Sequence, residues 1–91
     1  MRVFISGPIS NNPDYKKLFN KAEKLLIKQE HSVVNPSFLP EGFSYPAYIR
    51  MCIAMLTECD AIALLRGWQN SDGVRAELAE AIRQEKEIIL L

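Results

Sequence analysis

The stretch GWQNSDGVRAELAEA, from Gly67 to Ala81, holds the residue of this chain best suited to chemistry. It opens as a polar loop punctuated by glycine and passes into a helix, with Glu77 in that helix's first turns. Ser71 or Asp72 can cap the helix, and Gly73 leaves its N-terminus unobstructed. The free amides and the positive dipole end there suit an anion such as a phosphate. Measured from Val74, Glu77 falls ~60° to one side and Leu78 ~40° to the other, with Ala81 between Glu77 and Val74. If Val74, Leu78 and Ile82 are the apolar stripe, Glu77 flanks the buried face while Glu80 points well away from it. A carboxylate so placed is either a boundary residue satisfied by a nearby amide or by Arg75, or the working group of a pocket.

A second loop, ISGPIS, lies near the start of the chain. Gly7 and Pro8 allow a sharp turn and let a ligand approach backbone amides, with Ser6, Ile9 and Ser10 around them. Many strands end in Gly-Pro for turn geometry alone, so this loop gains meaning only from what stands next to it.

The elements that must position these loops follow from periodicity. Arg2 to Ser6 reads as a short buried strand. A helix follows, with Asn12 as N-cap, Pro13 at its first position and Asp14 in its first turn, ending near Gln29. A second strand spans Ser32 to Asn35 and is stopped by Pro36. PSFLPEGFSYP is then a loop, long for a compact domain and of a length that is often functional. Pro46 opens a second helix that runs to about Glu58 and is apolar nearly all round, which predicts burial on two sides, in the core or in a subunit interface. Ala61 to Leu65 is a third buried strand, and Ile88 to Leu91 a fourth, after the helix that carries Glu77.

Strands alternating with helices predict an α/β three-layer sandwich, a doubly wound four-stranded parallel sheet with right-handed crossovers. The simplest order is 2-1-3-4, as in flavodoxin-like and Rossmann-like folds. Its direction reverses between strands one and three, and ligands bind at such a switch point, outside the carboxyl ends of the strands. That topology brings ISGPIS and GWQNSDG together.

The 91 residues make a single domain, 1–91, and 48% of them are apolar. Eleven basic residues balance eleven acidic ones. This argues against a nucleic-acid polymer or a membrane surface as partner, but not against one nucleotide held by amides and a helix end. Cys52 and Cys59, seven apart in one helix, stand about 10 Å apart along its axis, too far for a disulfide. They read as buried free thiols in a reducing cytoplasm. His31 is the sole histidine, and no metal or cofactor is expected from the spacing of ligand types. No run reaches transmembrane length, and MRVFISG has neither the apolar stretch nor the cleavage site of a signal peptide. So small a core, with so apolar a second helix, predicts a homodimer or larger homo-oligomer.

Taken together, ISGPI after the first strand, VVNP at the second, CDAIALL with GW at the third, and then S-x-G-x-x-x-E resemble the nucleoside 2-deoxyribosyltransferase superfamily. They are most similar to its short DUF4406 branch, common in phages and bacteria. The resemblance spans nearly the whole chain, and GW-x-x-S-x-G-x-x-x-E is its most specific part. It implies that Glu77 is a nucleophile cleaving or transferring an N-glycosidic bond of a nucleoside or nucleoside 5′-monophosphate. It further implies that Ser71 binds the sugar or its 5′ end, and that the Ser6 to Ser10 loop holds a 5′ hydroxyl or phosphate. Gly67 and Gly73 belong to the same motif. Trp68 either stacks on a base or covers the edge of the core. One departure stands out: relatives commonly carry an aspartate eight residues before the aspartate that opens strand three, and here that position is Cys52. Asp60 itself reads as structural. Tyr45, Tyr48 or Asp72 is then left to supply the acid, and Arg50, Arg66 and Arg75 are the candidate phosphate contacts. Two other functions remain in view: a protein that binds or sequesters a nucleotide-like ligand without turnover, and a structural or interaction protein.

Overall fold

A computed structural model describes all residues from Met1 to Leu91. Strand β1 (Arg2–Ser6) is followed by helix α1 (Tyr15–Lys28), strand β2 (Ser32–Val34), helix α2 (Tyr45–Thr57), strand β3 (Ala61–Leu64), helix α3 (Asp72–Arg83) and strand β4 (Glu87–Leu90). Single 3-10 turns stand at Pro36–Phe38 and Trp68–Asn70. The four strands form one parallel sheet in the order β2-β1-β3-β4, as expected. Register across the centre pairs Val3 with Ala61 and Ser6 with Leu64.

Strand pleating divides the core in two, because successive side chains leave opposite faces of a sheet. Val3, Ile5, Ala61 and Ala63 pack beneath α1 with Phe19, Ala22 and Leu26. Phe4, Ile62 and Leu64 pack on the other face with Cys52 and Leu56 of α2 and Val74 and Ala81 of α3. Ser6 continues the row of Phe4 toward α2 and α3, so the alternation delivers a buried hydroxyl where an apolar residue would otherwise stand.

Three local expectations change. Helix α1 starts at Tyr15, with Asp14 as N-cap and no side-chain cap bond. Asn12 lies two residues before that cap, and its Nδ2 donates to the Pro8 carbonyl at 3.0 Å, folding the loop back on itself. On α3 the buried positions are Val74, Glu77 and Ala81, while Leu78 is only half-buried and Ile82 is 58% exposed. The helix is thus rolled toward Glu77 from the orientation expected. On α2 only Cys52 and Leu56 are buried. Around them Ile49, Met51, Ile53 and Met55 are partly covered, Ile53 and Met55 by packing against the core.

Asp60 is structural, as its position before β3 suggested. Its Oδ2 accepts from the Arg2 amide at 2.9 Å, and its own amide donates to the Arg2 carbonyl at 2.8 Å, tying β3 to β1 at their amino ends. Both cysteines are free and buried. No helix is long and apolar enough to cross a membrane.

Candidate active site

At the carboxyl ends of β1 and β3, a cavity of about 800 Å³ opens between α1, α2 and α3. Ser6, Gly7, Pro8, Ile9 and Ser10 form one wall, and Ser71, Gly73 and Glu77 another. Gly7 is required where it stands: a Cβ there would come within 2.6 Å of Leu65 Cδ1. Gly67 takes a left-handed backbone, φ 89°, that turns the chain into the Trp68–Asn70 turn. Neither Gly67 nor Trp68 borders the cavity; the indole packs against the core beneath α2 and α3.

Glu77 is 5% exposed. The Ser6 hydroxyl donates to its Oε1 at 2.5 Å, a bond between residues 71 apart in the chain. The carboxylate also borders the cavity, with the Cys52 thiol beside it. Burial pushes the Glu77 carboxyl from its ordinary value of 4.5 up to about 7, against the Ser6 hydroxyl and the neighbouring Cys52 thiol, which hold it down. Around neutrality this carboxyl is therefore divided between its two protonation states.

Cys52 is fully buried beside this group. Burial first, then the Glu77 charge, pushes its thiol up to about 12. A thiol holding its proton so firmly is no donor to a departing base. Tyr48 borders the cavity, and burial, reinforced by Cys52, carries its phenol well above the usual range. It can donate a hydrogen bond but not readily a proton. Tyr45 and Asp72 also border the cavity. Asp72 accepts from Arg75 Nη2 at 2.7 Å in an exposed pair. Arg50, Arg66 and Arg75 lie outside the wall.

The rest of the wall comes from residues to which no role had been attached. Tyr15 and Phe19 of α1 close one side, in edge-to-face contact with ring centroids 6.1 Å apart. Leu39, Glu41 and Phe43 come from the proline-rich loop, whose length and aromatic content were the available signal. The α3 N-terminus is capped as expected, the Ser71 hydroxyl accepting from the Val74 amide at 3.3 Å. No group of three His, Cys, Asp or Glu side chains converges to hold a metal ion.

Comparison with known proteins follows the same lines. Residues 1–90 match the family model described as "Domain of unknown function (DUF4406)". No curated protein sequence matches the chain. Among solved structures, the chain is similar to a 2-deoxyribosyltransferase from Leishmania mexicana, with a TM-score of 0.76 at 21% identity, covering 99% of this chain and 63% of that one. It is similar to the Clostridium botulinum CMP N-glycosidase, with a TM-score of 0.71 at 23% identity, over 99% and 70% of the two chains. It is also similar to a 2-deoxyribosyltransferase from Bacillus psychrosaccharolyticus, with a TM-score of 0.75 at 18% identity, over 99% and 71%. At these identities the likeness is one of fold. The chain spans less than two thirds of the Leishmania enzyme's length.

Proposed function

The chain belongs to the DUF4406 family, and from that premise we propose that it cleaves or transfers the N-glycosidic bond of a nucleoside or nucleotide, with Glu77 as nucleophile. The observation that carries this reading is a buried carboxylate, held by Ser6 through Oε1, that borders a cavity at the switch point of the sheet. The fold it shares with two deoxyribosyltransferases and an N-glycosidase supports it.

In the reaction, the Glu77 carboxylate attacks the anomeric carbon as the bond to the base breaks, and that bond's electron pair leaves with the base. The transition state has oxocarbenium character, which a carboxylate in a water-poor cavity stabilises. The product is a glycosyl ester. Water, or a second base, then opens it from the vacated face, so configuration is retained overall. The departing base takes up a proton, and of the donors expected from the sequence Asp72 and Tyr45 remain at the wall to provide one, with Glu41 beside them. Only the ionised form of Glu77 attacks, so kcat/KM rises with pH through about 7 before any second ionisation limits it.

A second reading, a protein that holds a nucleoside-like ligand without turnover, is favoured by one observation. The position where the resemblance calls for an aspartate holds the firmly protonated Cys52 thiol. Incubation with a panel of deoxynucleosides and their 5′-monophosphates separates the two. Base released by wild type and not by Glu77→Gln establishes the enzyme. Release from none, with binding detected by calorimetry, establishes the binder.

The incompletely covered apolar side chains of α2, with Phe43 and Tyr45 exposed at its start, support assembly into a homodimer or larger oligomer. Two buried free thiols fit a reducing compartment such as the cytoplasm.

A further inference from the structure

The cavity beside Glu77 has walls of one electrical sign. Glu77, Asp72 at the start of α3 and Glu41 ahead of α2 all border it, and no lysine, arginine or histidine does. Two basic groups on adjacent turns already have partners at the rim. Arg75 is drawn to Asp72, and the Lys16 ammonium lies over the Tyr15 ring, 5.9 Å from its centroid. The remaining polar lining is neutral, including Ser10, Asn11, Asn70 and Ser71.

From this distribution we infer that the site takes an uncharged nucleoside and discriminates against its 5′-monophosphate; the inference rests on the glycosyl chemistry proposed above. A phosphate dianion entering this cavity gives up its water and meets no side-chain cation in exchange. The α3 N-terminus compensates only in part, through the amides of Asp72 and Gly73. The Val74 amide is used by Ser71, and the negative charge that favours a helix N-terminus is supplied by Asp72. A dianion would also act on the nucleophile itself. Negative charge nearby disfavours ionisation of a carboxyl, so a bound monophosphate would leave Glu77 more protonated and less able to attack. A nucleoside meets neither obstacle: its hydroxyls find serine and asparagine partners, and its base finds Tyr15, Phe43 and Tyr45.

The test compares kcat/KM for a deoxynucleoside, its 5′-monophosphate and the dimethyl ester of that monophosphate, which keeps the bulk without the charge. The expected result is a preference of at least about tenfold for nucleoside over monophosphate, the ester behaving as the nucleoside does. The preference should shrink at high salt and in a Glu41→Gln/Asp72→Asn variant. A monophosphate used as well as the nucleoside overturns the inference and leaves the glycosyl reading standing. Equal rejection of the ester and the monophosphate also overturns it, by making the discrimination one of size. If none of the three is cleaved, calorimetry on the same ligands decides. Tighter binding of nucleoside and ester than of monophosphate retains the charge preference while the glycosyl reading fails; binding of none overturns both.

Discussion

On the proposed mechanism two demands oppose each other at Glu77: the carboxyl must be shielded from water to attack a carbon, and shielding makes it reluctant to ionise. Its value of about 7, against 4.5 for an exposed glutamate, records that conflict as a stability cost. Because the folded value is the higher one, the group favours the native state most below the unfolded value, and this contribution is lost as pH rises from about 4.5 through 7. The loss amounts to about 3 kcal/mol. Glu77→Gln keeps an acceptor for Ser6 but carries no charge. It should therefore gain on wild type by roughly that amount between pH 4.5 and pH 8 in denaturant titrations. Ser6→Ala acts on the same balance from the other side. The hydroxyl holds the carboxyl down, so its loss should move the acid limb of the kcat/KM profile upward by about one pH unit, with rates falling most below pH 7. An unmoved limb would show that Ser6 does not set the ionisation of Glu77.

The helices end in a less conventional way than they begin. After α1 and after α3, Glu30 and Glu85 adopt left-handed backbone, φ 68° and 59°, where glycine is the common choice. In each case the next amide returns to the last turn, His31 to Leu26 and Lys86 to Ala81. A Cβ in this conformation costs about 1 kcal/mol. Glu85→Gly should therefore stabilise the fold by up to about 1 kcal/mol, read as a higher denaturant midpoint with an unchanged slope. Such ends were invisible in the sequence, because nothing about a glutamate announces positive φ. The sheet order, by contrast, was legible from alternation and crossover rules, since four short apolar runs separated by helices leave few parallel arrangements. The roll of α3 was not. Val74, Leu78 and Ile82 make the more apolar stripe, but Val74 and Ala81 are the residues that fit against Cys52 and Leu56, and this brings Glu77 inward. The site was half legible: the loops after β1 and β3 came from topology and the proline-rich loop stood out by its length, while the α1 wall of Tyr15 and Phe19 did not, because cavity walls obey no period. Trp68 illustrates the remaining ambiguity, since a tryptophan after a glycine looks the same whether it meets a ligand or the core.

At the scale of the molecule, the chain buries 22 of its 91 residues and leaves Phe43, Tyr45 and Ile82 about half exposed or more beside the partly covered α2. A second copy covering that face would bury what one chain cannot, and the expected mass from light scattering at micromolar concentration is at least twice 10.4 kDa. A mass of 10.4 kDa would leave the exposed face of α2 without a partner of its own kind. The bond between Ser6 and Glu77 has a consequence of another sort. It joins the end of the first strand to the last helix, across a loop of most of the chain, in a sheet where β3 lies beside β1. Closing a loop of that length is slow and is rewarded late. On the mechanism proposed above, the growing polypeptide carries Glu77 as an ordinary solvated glutamate during synthesis, without the buried setting that the proposal requires of a nucleophile. Reactivity is then tied to finished folding, with no separate mechanism needed to keep an immature chain silent.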